Sequence, residues 1–168
     1  MSKPRYVIVV ALDYTQPSEL AFEKALELAA GNGEAELHVV NVCTSETTVG
    51  AMSGVGASPP SLHDAGLYLQ NHVARTVTEF QARTGTNPFK RLVTHVRADD
   101  PGRQIAQLAT EVAADLLVIG THDRHGLPRL LLGSVAEAVS RLAPCSVLVV
   151  RPKIASKATP GIEPSATY

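Results

Sequence analysis

Five short apolar runs punctuate the chain, and each of the four stretches between them contains the three-to-four residue period of an amphipathic helix. The first run, YVIVVAL from Tyr6 to Leu12, is β-branched and almost unbroken, the pattern of a central strand covered on both faces. It stops at Asp13, and Pro17 stands where the first turn of a helix tolerates proline. Ala21, Phe22, Ala25, Leu26, Leu28 and Ala29 then recur at helical spacing. Gly31-Asn32-Gly33 ends that helix, because these residues accept the left-handed backbone of a C-terminal cap. LHVVNV, Leu37 to Val42, predicts the second strand.

Residues 44 to 61 have no period and are rich in Gly, Ser and Pro, which predicts a long mobile loop inside one domain. From Leu62 to Thr84, Leu69, Val73, Val77 and Phe80 share one helical face, and Gly85 closes the helix. RLVTHVR, Arg91 to Arg97, alternates strictly and so suits a sheet edge. Asp100 and Pro101 form the N-cap and first residue of a helix that Ile105, Leu108, Ala109 and Val112 carry to Ala114. LLVIG, Leu116 to Gly120, and SVLVV, Ser146 to Val150, are the fourth and fifth strands. A helix from Ser134 to Leu142 lies between them, stopped ahead of Pro144. Residues 153 to 168, with few apolar positions and no period, are expected to be a disordered tail beyond a domain of residues 1 to 152.

Strands alternating with helices imply a single α/β domain built on a parallel sheet. Ligands of such sheets sit beyond the carboxyl ends of the strands, where the chain reverses its direction of travel across the sheet. The positions to inspect are therefore Asp13, Asn41, Asp99, Asp100 and Gly120 to Arg124.

Composition narrows the picture. Three Phe, four Tyr and no Trp leave an aliphatic core, and a net charge of -1 gives no basic field to recruit nucleic acid. Cys43 and Cys145 are too few for a disulfide framework and lack metal-ligand spacing, which suits a reducing compartment. The N-terminal apolar stretch is too short to span a membrane. A soluble cytoplasmic protein is expected.

The chemistry concentrates in GTHDRHGLPRLLLGSV, residues 120 to 135. Gly120 ends a strand and Gly133-Ser134 opens a helix, whose unpaired N–H groups and positive dipole end favour an anion. Ser134 can cap that helix or donate to a phosphate oxygen, and Arg124, His125 and Arg129 add positive charge. An ordinary strand-loop-helix connection needs the same glycines and the same cap. On physics alone the two readings stand level. His122, Asp123 and His125 are a weak metal-ligand set, with no further Cys or His nearby in sequence. No G-x-x-x-x-G-K-[ST] loop and no interpretable Ser-His-Asp set occurs. Glu19 and Glu23 fit a solvated helix face, and His38, His63, His72 and His95 fit structural roles.

The spacing Gly120, position 123, Gly133-Ser134 resembles the nucleotide-binding motif of the universal stress proteins: Gly, two residues, Gly, nine residues, Gly, then Ser or Thr. LLLGSVAEAVSRLAPCSVLVVRP, VVALDYTQPSELAFEKAL, LHVVNV and ADLLVIGTH are similar to that family in order and spacing, over about residues 5 to 152. The resemblance implies a three-layer α/β/α fold with a five-stranded parallel sheet in order 3-2-1-4-5, Rossmann-like and of the adenine nucleotide alpha hydrolase kind. It implies ATP or a related adenine nucleotide as ligand, bound as a regulatory module and not rapidly turned over. Asp13 would stand on the adenine-ribose side and Val39 against the base. Gly120, His122, Gly133, Ser134 and Val135 would surround ribose and phosphates. A homodimer through Ser146 to Val150 is also implied, with an unidentified protein partner.

The departure is Asp123, where nucleotide-binding members have Gly. A carboxylate facing phosphates repels them, unless Mg²⁺ bridges the two or Arg124 or Arg129 neutralises it. Two rivals follow from it: a nucleotide-free interaction protein of the same family, and a slow ATP hydrolase using Asp123, His122 or His125.

Overall fold

The computed structural model describes residues 5–44, 61–121 and 132–152. In chain order they form β1 (Tyr6–Ala11), α1 (Gln16–Asn32), β2 (Ala35–Cys43), α2 (Leu62–Thr84), β3 (Arg91–Ala98), α3 (Pro101–Glu111), β4 (Leu116–Gly120), α4 (Ser134–Leu142) and β5 (Ser146–Val150). Every strand pairing is parallel, and the order across the sheet is β3-β2-β1-β4-β5. The strictly alternating run is thus an edge, and the unbroken apolar run is the centre.

Period-two placement along β1 feeds two cores. Ile8 and Val10 face a cluster in which Phe22 and Leu26 of α1 meet Leu69, Val73, Val77 and Phe80 of α2. Val9 and Ala11 face the opposite cluster, with Ile105, Leu108 and Ala109 of α3 and Ala136 and Val139 of α4. Two helices on each face make the three-layer α/β/α arrangement. Burying a side chain such as Leu26 or Phe22 stabilises by roughly 1.5–3 kcal/mol, so each cluster outweighs any single polar contact in the fold.

Helix ends follow their signals with small shifts. Gly33 takes φ 67° as the cap of α1, and its N–H donates to the Ala29 carbonyl. Ser61 and Asp64 form a reciprocal capping box at the start of α2. α3 stops at Glu111 and not at Ala114, because Ala113 turns the backbone to φ 52°. β1 ends one residue early, at Ala11, although the Leu12 N–H still donates to the Val40 carbonyl at 2.9 Å. β2 is longer than its apolar run, starting at Ala35, because Glu36 is a buried strand residue. The loop expected over 44 to 61, save its two end residues, and the tail expected over 153 to 168 lie outside the described residues.

Candidate functional site

β1 pairs with β2 on one side and with β4 on the other, so the chain reverses its travel across the sheet beside β1. The N-terminus of α1 rises directly from the end of β1. Asp13 is exposed there, and its Oδ1 accepts from the Thr15 backbone N–H at 3.1 Å and from the Thr15 hydroxyl. The Asp13 N–H donates to Ser18 Oγ at 3.2 Å, and that hydroxyl donates to the Thr15 carbonyl at 3.0 Å. Between these anchors Tyr14 takes φ 64°, an unfavourable backbone for a bulky residue that the surrounding bonds maintain. Its ring meets Tyr68 edge-on at 5.0 Å and His72 at 5.2 Å. Burial, with Tyr68, Cys43 and Glu19 nearby, pushes the Tyr14 hydroxyl pKa well above its ordinary value.

The second wall comes from β4 and α4. A Cβ on Gly120 would lie 2.4 Å from the Pro17 carbonyl carbon and oxygen, so β4 and α1 can approach this closely only over a glycine. Thr121 is buried, donates its N–H to the Val150 carbonyl at 3.1 Å, and accepts the Gly133 N–H on its hydroxyl at 3.1 Å. That last bond ties the start of α4 to the end of β4. α4 starts at Ser134 as expected, and its N-cap is Gly133, which removes the first of the two roles open to Ser134, capping or donation to a phosphate. Gly133 has no side chain with which to cap, and Ser134 is an exposed first residue of the helix. Val135 is partly buried against the α3–α4 core. Helix geometry aims the first N–H groups of α4 outward from its end, toward the ends of the strands.

The structure brings Asp13, Gly120, Gly133 and Ser134 to the carboxyl end of the sheet. Val39 lies deeper, fully buried in the α1–α2 core and opposite Val10 in register. His122 and Asp123, with Arg124, His125 and Arg129, lie outside the described residues. Asp100 is the N-cap of α3, accepting from the Arg103 N–H at 2.8 Å. Three residues were not singled out as parts of this site, or only by position. Asn41 is buried and donates through Nδ2 to the Leu12 carbonyl at 2.8 Å, holding the ends of β1 and β2 together. Ser18 and Thr121 do comparable work for α1 and α4. Their only signal in sequence was a small polar residue near the end of a strand, inside β2 for Asn41 and beyond β1 and β4 for Ser18 and Thr121.

Away from this end, an open groove of about 470 Å³ runs between α1 and α2, lined among others by Glu19, Glu23, His72, Arg75 and Glu79. Glu19 is therefore not on a simple solvated face: its Oε1 stands 2.8 Å from His72 Nε2, at ion-pair distance but without hydrogen-bond alignment. Among the described residues no group of three or more His, Cys, Asp or Glu could hold a metal ion, and no helix is long and apolar enough to cross a membrane.

The Universal stress protein family model matches residues 6–151. The chain belongs to the universal stress protein family. A protein of Staphylococcus epidermidis named for the same family is 34% identical over 147 residues, covering 86% of this chain and 82% of its own. Among solved structures, a universal stress protein family protein from Arabidopsis thaliana with AMP bound is similar in fold, with TM-score 0.57 and 21% identity over 92% of this chain and 97% of that one. A universal stress protein in complex with cAMP gives TM-score 0.56 and 21% identity over 87% and 96%. The chain is thus similar in fold to these solved universal stress proteins, one of which carries AMP and the other cAMP.

Proposed function

We propose that this universal stress protein binds ATP or a related adenine nucleotide at the carboxyl ends of β1 and β4, as a regulatory module without rapid turnover. The observation that carries the reading is the convergence of Asp13, Gly120 and the glycine-capped start of α4 at the point where the sheet's connectivity reverses. An anion there meets outward N–H groups and a positive dipole end, and Ser134 adds an exposed hydroxyl. Among the described residues a Cβ on Gly133 would meet only Thr121 Oγ1, at 3.5 Å, which leaves its backbone open to approach from them. His122, Asp123 and Val135 complete the proposed set of contacts, with Val39 beneath the base side. Mg²⁺ is proposed as the bridge that reconciles Asp123 with phosphate oxygens.

Calorimetry on protein stripped of endogenous ligand tests this. Micromolar to millimolar binding of ATP, strengthened by Mg²⁺, is expected; no heat with ATP, ADP or AMP, with or without Mg²⁺, removes the proposal.

A second reading, a nucleotide-free interaction protein, is favoured by one observation: Val39 has no surface to offer a base. Mass spectrometry of the denatured preparation separates the two through co-purified nucleotide. Assembly as a homodimer through Ser146 to Val150 belongs to both readings. β5 is the sheet edge next to β4, and its four valine and leucine positions are partly exposed. A cytoplasmic location is part of the same proposal.

A further inference from the structure

The opposite edge of the sheet carries a chain of polar side chains that the nucleotide reading does not use. Glu36 and His38 of β2 share a face with Arg91, His95 and Arg97 of β3, since Glu36 pairs with Arg91 and Val40 with His95 in register. This is the face covered by α3, and Glu36 and His38 are buried in it. Glu36 Oε1 lies 2.9 Å from His38 Nε2, and His38 Nδ1 lies 2.8 Å from His95 Nε2. The two rings are within 18° of parallel, with centroids 5.1 Å apart. Arg91 reaches Glu36 Oε1 at 2.8 Å and Arg5 reaches Glu36 Oε2 at 3.0 Å. Arg97 pairs with Glu111 of α3, which also accepts from Gln107 at 3.0 Å.

The tautomers follow from this chain. An ionised carboxylate only accepts, so the hydrogen of neutral His38 is on Nε2. Its Nδ1 is then an acceptor, and His95 must donate from Nε2. One added proton can be accommodated, on His95 Nδ1 or, with a tautomer change at His95, on His38 Nδ1. Two cannot: both rings would then present N–H groups to each other at 2.8 Å. The surroundings oppose even the first. Three guanidiniums, Arg5, Arg91 and Arg97, face two carboxylates, Glu36 and Glu111.

We propose that the His38–His95 contact is an acid-released clasp on the edge strand β3, closed while both rings are neutral and opened as they take up protons. Release would uncover the edge of β2, the next strand inward. The direction agrees with the titration of the two rings. Burial, reinforced by Arg91 and Arg5 and opposed by Glu36, holds His38 below its ordinary value. Burial, His38 and Arg97 bring His95 down to about 4. A histidine lowered in the closed state stabilises that state fully above its open-chain value of about 6.5, and the stabilisation is lost as pH falls from there toward 4.

Hydrogen exchange on the full-length chain, corrected for intrinsic rates, tests the clasp between pH 7 and 5, above the range in which Glu36 and Glu111 protonate. Protection of the β3 amides should fall toward the low end at about tenfold per pH unit for each proton taken up, while β1 and β4 keep theirs. Long-range ¹H–¹⁵N spectra at pH 7.5 should show both rings protonated at Nε2. His95→Gln can still donate to His38 but cannot itself titrate, and should flatten the β3 response. Constant β3 protection, equal loss in β1 and β3, Nδ1-protonated rings at pH 7.5, or an undiminished slope in His95→Gln would each overturn the proposal.

Discussion

The Pro17 carbonyl occupies the space where a side chain on Gly120 would begin: a Cβ there would stand 2.4 Å from both its carbon and its oxygen. One glycine of the family motif therefore has a packing duty between β4 and α1 that is independent of any ligand. Gly120→Ala should destabilise the fold by about 1–3 kcal/mol through overpacking against backbone that cannot rotate aside. Urea denaturation measures it, and a change within 0.5 kcal/mol, roughly the scatter of neutral surface substitutions, would contradict the geometry.

Gly133 is the contrasting case. Its φ of -58° suits any residue and, among the described residues, a Cβ has only an ordinary contact, so Gly133→Ala should cost about 1 kcal/mol or less. If phosphates approach the start of α4 closely, the same change weakens nucleotide binding at least severalfold. Intact stability with unchanged affinity would move the phosphate site away from this helix.

Thr121→Val should loosen the start of α4. The substitution keeps the shape and removes the acceptor of the Gly133 N–H, and a lost hydrogen bond of this kind costs about 1 kcal/mol. Faster amide exchange confined to residues 133 to 136 is the expected signature; uniform acceleration across the chain would assign Thr121 a general packing role.

Asp123→Gly completes the family motif. If Asp123 stands beside phosphates as proposed, removing its charge should tighten ATP binding about tenfold without Mg²⁺, roughly 1.4 kcal/mol, and by less with it. Equal affinities for the two proteins would show that the aspartate points away from the ligand.

Glu36 sets an acid limit on stability. Burial raises its carboxyl pKa, but the His38 hydrogen bond and the Arg5 and Arg91 guanidiniums outweigh burial and hold it below the ordinary range. A lowered carboxylate stabilises above its unfolded value of about 4.3, and that contribution disappears as pH falls through the folded value. Glu36→Gln should cost about 1–3 kcal/mol at pH 7, less than a wholly buried pair because both arginines are half exposed to solvent. The variant's stability should also fall less steeply below pH 4.5 than that of the parent chain.

What could be read in advance follows from range. Tyr6 to Leu12, Leu116 to Gly120 and the Leu69–Val73–Val77–Phe80 stripe are local patterns, and each element appears where its pattern places it, β1 stopping one residue short. Glu36 hid the start of β2 because its burial depends on Arg5, Arg91 and His38, residues up to 55 positions away. Asn41, Ser18 and Thr121 were equally silent, since each gains its role from a backbone group on another element. The helix starts at Ser134 as its pattern places it, but its cap is Gly133, whose N–H reaches the Thr121 hydroxyl, a contact that only the fold supplies. Glu19 lies on the outward side of α1 by period alone, and only the placement of α2 brings His72 against it.

The pairing of Ile8 with Leu116 joins segments roughly a hundred residues apart, whereas β1 and β2 are neighbours in the chain as well as in the sheet. Closing so long a loop carries an entropic cost that local pairings avoid. During synthesis β1, β2 and β3 can therefore pair before β4 exists. The cleft between the ends of β1 and β4 has no existence in that half-sheet. It forms only when β4 pairs with β1 and the Thr121–Gly133 bond brings α4 with it, so anything that touches both walls selects chains in which this long-range pairing is made.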